Sequence, residues 1–167
     1  NSQFLSYLYS ENDYITSATN GSVYVSDANL SNVGAVFSGR LSYSKGGYVL
    51  RMLKWILGDA AFYQALQDYH SRPNLAYNYA VTADFKNSLL QSTGKDFTEF
   101  FNDWIYGQGY PTYQIKWNQM PDKTLLFKVS QTQSHSSVSF FEMPLPIKVN
   151  GTGGETAYLV LNHTTNN

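Results

Sequence analysis

An α+β architecture, helices first and antiparallel strands after, is predicted by two features of this 167-residue chain. Before Pro111 the apolar residues recur at three- and four-residue spacing; after it, short runs rich in β-branched and aromatic residues alternate with turn pairs. The change falls at 110–114, which assigns a helical part to 1–112 and a small antiparallel β-sandwich or sheet domain to 113–167. A third feature makes the chain a folded one: 43% apolar and 16% aromatic residues supply enough buried surface to offset chain entropy.

The elements follow in order. Residues 2–17 place Phe4, Leu5, Leu8 and Ile15 at frayed helical spacing. Residues 18–41, punctuated by Asn20-Gly21 and Gly34, form an irregular connection with at most a short strand at Val23 to Val25; an ordered loop this long covers or lines a site. From Tyr43 to Leu57 the residues Val49, Leu50, Met52, Leu53, Ile56 and Leu57 make the clearest helix, with Arg51 and Lys54 outside. Gly58 ends it in the place of a left-handed cap, and Asp59 is expected to accept from the free amides of the next helix. That helix carries Phe62, Leu66 and Tyr69 and stops at Ser71-Arg72-Pro73.

Thr82 is expected to cap a third helix, with Phe85, Leu89 and Leu90 inward, ending at Thr93-Gly94. Asp96 caps a fourth, Glu99 reaching back to its amide, and the helix runs to Trp104 or Ile105. Short connections predict antiparallel stacking of these helices. The runs TYQIKW, TLLFKVSQ, FFEMPLPIKV and TAYLVL then read as four strands, separated by Pro121-Asp122 and by Gly151 to Gly154. Four such strands make a thin sheet that needs the helices or other protein to cover it.

Composition excludes several functions. The net charge is −1, with 11 basic and 12 acidic residues scattered, so there is no electrostatic footprint for nucleic acid. No apolar run reaches the roughly 18 to 20 residues that cross a bilayer. The absence of cysteine excludes disulfides and a thiol nucleophile. Low charge with abundant Tyr, Asn, Ser and Thr leans toward a secreted or periplasmic location. Asn20, Asn29, Asn150 and Asn162 open glycosylation-type triplets of the kind an Asn/Ser-rich chain forms by chance. The first residue is Asn1 rather than methionine, as expected of a processed or cut piece.

Most chemistry-bearing patterns have an ordinary structural reading. His70, His135 and His163 are far apart in sequence and none pairs with another at metal-ligand spacing. No Gly-x-Ser-x-Gly elbow supports a Ser-His-Asp site, and NGTGGET lies between strands, where it reads as a hairpin turn rather than a phosphate cradle. Of the carboxylates Asp84, Asp96, Glu99 and Asp103, capping accounts for the first three.

Tyr43 is the remaining candidate. A phenol just before a helix, with Lys45 nearby, is placed to donate to developing negative charge. Gly46 and Gly47 clear side chains from beside it, at about 1 kcal/mol each in helix propensity. By spacing alone a packed tyrosine, one of 14, is the simpler reading.

The segment YSKGGYVLRML resembles the Tyr-x-Lys-Gly segment of the aminopeptidase N-like zinc metallopeptidases, gluzincins that include leukotriene hydrolase. The resemblance continues in order through Leu57-Gly58, Phe62, Tyr69, VTADF, STGKDFTEFFNDWIYGQGYP, VSQTQ and FEMPLPIKV, covering about residues 41–150. It implies the helical C-terminal lobe of a thermolysin-like catalytic domain followed by the family's small β domain. It gives Tyr43 the role of hydrogen-bonding the tetrahedral oxyanion, with Gly46 and Gly47 lining the substrate cleft.

In the family, zinc is held by a His-Glu-x-x-His helix and a downstream glutamate. This sequence contains no such motif. The resemblance therefore implies a fragment: zinc as cofactor of the full-length parent with none expected in this chain, a peptide as the parent's substrate, and the missing N-terminal part as the chain's natural complement. Such a piece is expected to be inactive alone and to self-associate through exposed apolar surface. Two further readings are a non-catalytic peptide- or protein-binding scaffold of the same family, and an unrelated adhesion module, which would bury Tyr43.

Overall fold

The computed structural model describes residues 2–166. Helix α1 spans Ser2–Thr16 and buries only Ile15 against the rest of the chain, which explains its frayed pattern. The connection after it contains no strand among the described residues. Tyr24 N donates once to Ile105 O at 3.0 Å, and the chain then turns through a 3₁₀ segment, Asp27–Asn29, and the short helix α2, Val33–Val36. The expected short strand at Val23 to Val25 is replaced by a bend at Val23 and Tyr24, which this one bond to a helix-end carbonyl ties down.

The expected helix at Tyr43 starts earlier and differently. A π-helical turn occupies Gly39–Lys45, with Ser38 Oγ accepting from Leu41 N at 3.3 Å, and it runs into α3, Gly46–Leu57. Tyr43 is therefore inside a helical segment, its amide bonded to Ser38 O at 3.3 Å, and not before a free N-terminus. The expectation that it feels the positive end of a helix dipole is corrected accordingly, because those amides already have acceptors. Val49 and Leu53 of α3 enter the core and Met52, Ile56 and Leu57 pack against it, whereas Leu50 is exposed.

Gly58 adopts φ 77° and ψ 162°, a positive-φ conformation that favours glycine but is not the left-handed helical one. Asp59 opens α4, Asp59–His70, and pairs with Lys54 at 3.3 Å instead of capping. Helix α5 spans Thr82–Thr93; its cap is supplied by Asp84, whose Oδ2 accepts from Val81 N at 2.9 Å, and not by Thr82. Leu90 faces outward and Ser88 takes the buried position, where its hydroxyl accepts from Arg72 Nε at 2.8 Å. Gly94 closes the helix at φ 69°, ψ 5°.

Helix α6, Thr98–Phe101, continues as a second π-helical turn over Asn102–Tyr106. Asp96 Oδ1 accepts from Thr98 N at 2.8 Å, but Glu99 makes no return bond to the Asp96 amide among the described residues. Phe97, Phe100, Phe101 and Trp104 from this segment join Val49, Leu53, Phe62 and Leu89 in one core. The core also takes Val138 and Phe141 from beyond the helices, with Trp104 and Phe141 ring centroids 4.7 Å apart.

The four expected strands form as β1, Pro111–Gln119, β2, Leu125–Gln133, β3, Met143–Asn150, and β4, Thr156–His163. They build two antiparallel two-stranded ribbons rather than one sheet: β1 with β2, Pro111 opposite Gln133, and β3 with β4, Met143 opposite His163. Pro144 and Pro146 remove two donors from β3, which keeps it an edge strand.

The ribbons are joined by side chains instead. Gln131 accepts from Phe141 N at 2.8 Å and donates to Phe141 O at 2.9 Å, and its Nε2 lies 3.2 Å from His163 Nδ1. The turns are as expected. Asp122 Oδ1 accepts from Thr124 N at 2.9 Å, and Gly151 N donates to Glu155 O at 2.8 Å across the second hairpin.

Candidate active-site cleft

Helix α1, the π-helical turn and the start of α3 enclose an open cleft of about 540 Å³, lined by Phe4, Tyr7, Leu8, Glu11, Tyr14, Gly39, Tyr43, Ser44, Gly47, Tyr48 and Arg51. Tyr43 is 61% exposed in this concave face, which is the opposite of what the adhesion-module reading required. The cleft walls are held by specific contacts. Tyr48 donates its hydroxyl proton to Leu8 O, tying α3 to α1. Arg51 stacks over the Phe4 ring at 5.0 Å. Gly39 allows the Tyr14 hydroxyl to approach, since a β-carbon there would lie 3.1 Å from that oxygen.

The two glycines after Tyr43 have different roles. A β-carbon on Gly47 would meet nothing within 4 Å, so this position opens onto the cleft. On Gly46 it would lie 3.6 Å from Val23 Cγ1 and 3.8 Å from Leu41 O, facing the packed loop. Gly46 is not among the cleft-lining residues.

Lys45 is not beside the phenol either. It is 4% exposed and its ammonium donates to Gly21 O at 3.2 Å, Gly107 O at 3.4 Å and Gly109 O at 3.0 Å. Burial, with a smaller contribution from Arg40, lowers its pKa to about 8. Arg40, at the other end of the same turn, donates to Ile15 O at 3.1 Å, Ala18 O at 3.3 Å and Asn20 O at 3.0 Å. Sequence reasoning missed this arrangement. Its one signal was a pair of cations five residues apart in a segment without neighbouring carboxylates.

Asp103, Tyr113, His135 and His163 are not among the cleft-lining residues. Asp103 is buried where α6 meets the linker to β3; it accepts from Glu142 N at 3.0 Å, and burial raises its pKa to about 6 against the effect of that bond. Tyr113 is raised to about 12, mainly by burial, and its hydroxyl has no hydrogen-bond partner among the described residues. His163 is taken up by Gln131 and, through Nε2 at 3.2 Å, by Val129 O; His135 Nδ1 accepts from Ser137 N at 3.2 Å.

Among the described residues no group of three His, Cys, Asp or Glu side chains could hold a metal ion. What the cleft itself offers is three solvent-facing phenols, those of Tyr7 and Tyr14 on α1 and that of Tyr43 on the π-helical turn. No described helix is long and apolar enough to cross a membrane.

The model of the peptidase family M1 domain matches residues 4–104, more than half of the chain, and the protein belongs to that family. Aminopeptidase N of Lactococcus lactis subsp. lactis is 30% identical over 139 residues, covering 80% of this chain and 16% of that protein. Glutamyl aminopeptidase of Rattus norvegicus is 29% identical over 140 residues, covering 81% and 14%. The crystal structure of Legionella pneumophila aminopeptidase A in complex with aspartic acid shares the fold with a TM-score of 0.65 at 18% identity, over 89% of this chain and 17% of that one. The chain thus spans about a sixth of the length of these relatives.

Proposed function

We propose that this chain is part of a zinc-dependent aminopeptidase that hydrolyses N-terminal residues from peptides, with Tyr43 donating a hydrogen bond to the tetrahedral oxyanion. Membership of peptidase family M1 and the aminopeptidase relatives support the reaction class. The observation that carries the assignment of Tyr43 is its exposure on the concave face, on a π-helical turn of the kind that recurs at functional sites. Zinc, in this reading, is held by residues elsewhere in the complete enzyme and would polarise the scissile carbonyl. The cleft residues Tyr43 and Gly47 then shape one wall against which the peptide lies.

The test is turnover of amino-acid anilides by the complete enzyme and by Tyr43→Phe. A lost oxyanion donor lowers kcat by about 10²- to 10³-fold. Unchanged turnover would remove Tyr43 from the mechanism. Zinc content and activity of the present chain alone, measured beside the complete enzyme, test the rest: the chain is expected to hold no zinc and cleave nothing. A complete protein that also neither binds zinc nor cleaves would favour the peptide-binding scaffold.

A further inference from the structure

We propose that Arg40 and Lys45 are positioning residues for Tyr43: each anchors one end of the π-helical turn to main-chain carbonyls, fixing where the phenol stands in the cleft. The inference rests on the reading of Tyr43 as the oxyanion donor. Six carbonyls take part, those of Ile15, Ala18 and Asn20 for Arg40 and those of Gly21, Gly107 and Gly109 for Lys45. They come from the last turn of α1 and the segment leaving it, and from the link between the second π-helical turn and β1, so the turn is referenced to two separate parts of the fold.

The chemistry of the anchors supports a role beyond packing. No carboxylate pairs with Lys45 or Arg40 among the described residues. A buried cation without a counter-charge is expensive, and an apolar side chain would fill the space of Lys45 with less penalty. What the cations give that an apolar residue cannot is direction, because each donates to three carbonyls at once and is held between them. A π-helical turn also benefits more than an α-helix from external ties, since its own hydrogen-bond pattern is a rare one. Only residues 41 to 44 lie between the anchors, and Tyr43 is the one of these that is exposed.

The experiment is a pair of double-mutant cycles in the complete enzyme, combining Lys45→Met and Arg40→Met separately with Tyr43→Phe, read as kcat and KM on an amino-acid anilide after thermal melts confirm folding. Displacing a catalytic group by about 1 Å costs on the order of 10²-fold, so each single variant is expected to lower kcat about 10- to 100-fold with KM changed less than about threefold. In the Tyr43→Phe background each should cost less than about twofold. Arg40→Lys, which keeps the charge, should recover part of the loss. Full additivity with Tyr43→Phe, an effect confined to KM, or no effect on kcat would each overturn the proposal. Unfolding of both variants would assign the cations to stability and overturn it as well. If Tyr43→Phe alone leaves kcat intact, the reading of Tyr43 fails, a result distinguishable from additivity.

Discussion

Tyr43 and Lys45 share one π-helical turn yet face opposite environments: the phenol stands in an open cleft, while the ammonium is buried against the carbonyls of Gly21, Gly107 and Gly109. The lysine of the Tyr-x-Lys-Gly segment is thus an anchor facing inward and not an electrostatic neighbour of the tyrosine.

Lys45 gives the protein an alkaline stability slope. Its folded pKa, lowered to about 8 by burial and then by Arg40, lies below the unfolded value, so between about pH 8 and pH 10 the unfolded chain binds more protons. Stability should therefore rise with pH across that window. Above pH 10 the slope should reverse, because Tyr113, raised to about 12, keeps its proton folded and loses it unfolded. Urea unfolding at intervals from pH 7 to 11 measures both limbs, and a flat profile in Lys45→Met between pH 8 and 10 would assign the first to this residue.

Asp103 acts in the acid range with the opposite sense. Its folded pKa, raised to about 6 by burial, exceeds the unfolded value, so the folded chain binds more protons between about pH 4 and 6 and stability falls as pH rises through that window. Asp103→Asn keeps an acceptor for Glu142 N without the charge. It should stabilise the protein by about 1–3 kcal/mol at pH 7.5 and give no advantage below about pH 4. Equal stabilities at pH 7.5 would show that the carboxylate is adequately solvated.

Gly46 and Gly47 separate in their response to substitution. Gly46 has helical dihedrals, φ −58° and ψ −46°, and ordinary contact distances for an added methyl, so Gly46→Ala should raise stability by about 0.5–1 kcal/mol. A β-carbon on Gly47 meets no atom within 4 Å and the position lines the cleft, so Gly47→Leu should leave the melting temperature within a few degrees and weaken kcat/KM of the complete enzyme. A cleft that tolerates leucine at 47 is not the substrate path.

Gln131 links the ribbons, so Gln131→Ala should cost about 2–4 kcal/mol, the loss of a buried side chain whose partners at Phe141 and His163 are left unsatisfied. Chemical denaturation checks the magnitude, and a cost under about 1 kcal/mol would mean that water replaces the amide.

Exposed apolar residues on α1, among them Phe4, Leu5, Tyr7 and Tyr9, lead to the expectation that the isolated chain self-associates at high concentration. Sedimentation of a single monomeric species would contradict it.

The sequence by itself determined the order of elements, the α+β class and the Tyr-x-Lys-Gly segment. Strand positions such as those of Ile115, Val129 and Val160, and punctuation at Gly94, Pro121 and Gly151, depend on local propensity and turn chemistry. Only the tertiary structure decided the rest. Local spacing could not place Lys45 inward, because its three acceptors lie 24, 62 and 64 residues away. Nor could it separate Gly46 from Gly47, one facing Val23 and the other the cleft, or divide four strands into two ribbons joined through Gln131. These outcomes depend on which distant carbonyl, side chain or edge is available to satisfy a buried polar group. That availability is fixed only when the whole chain has packed.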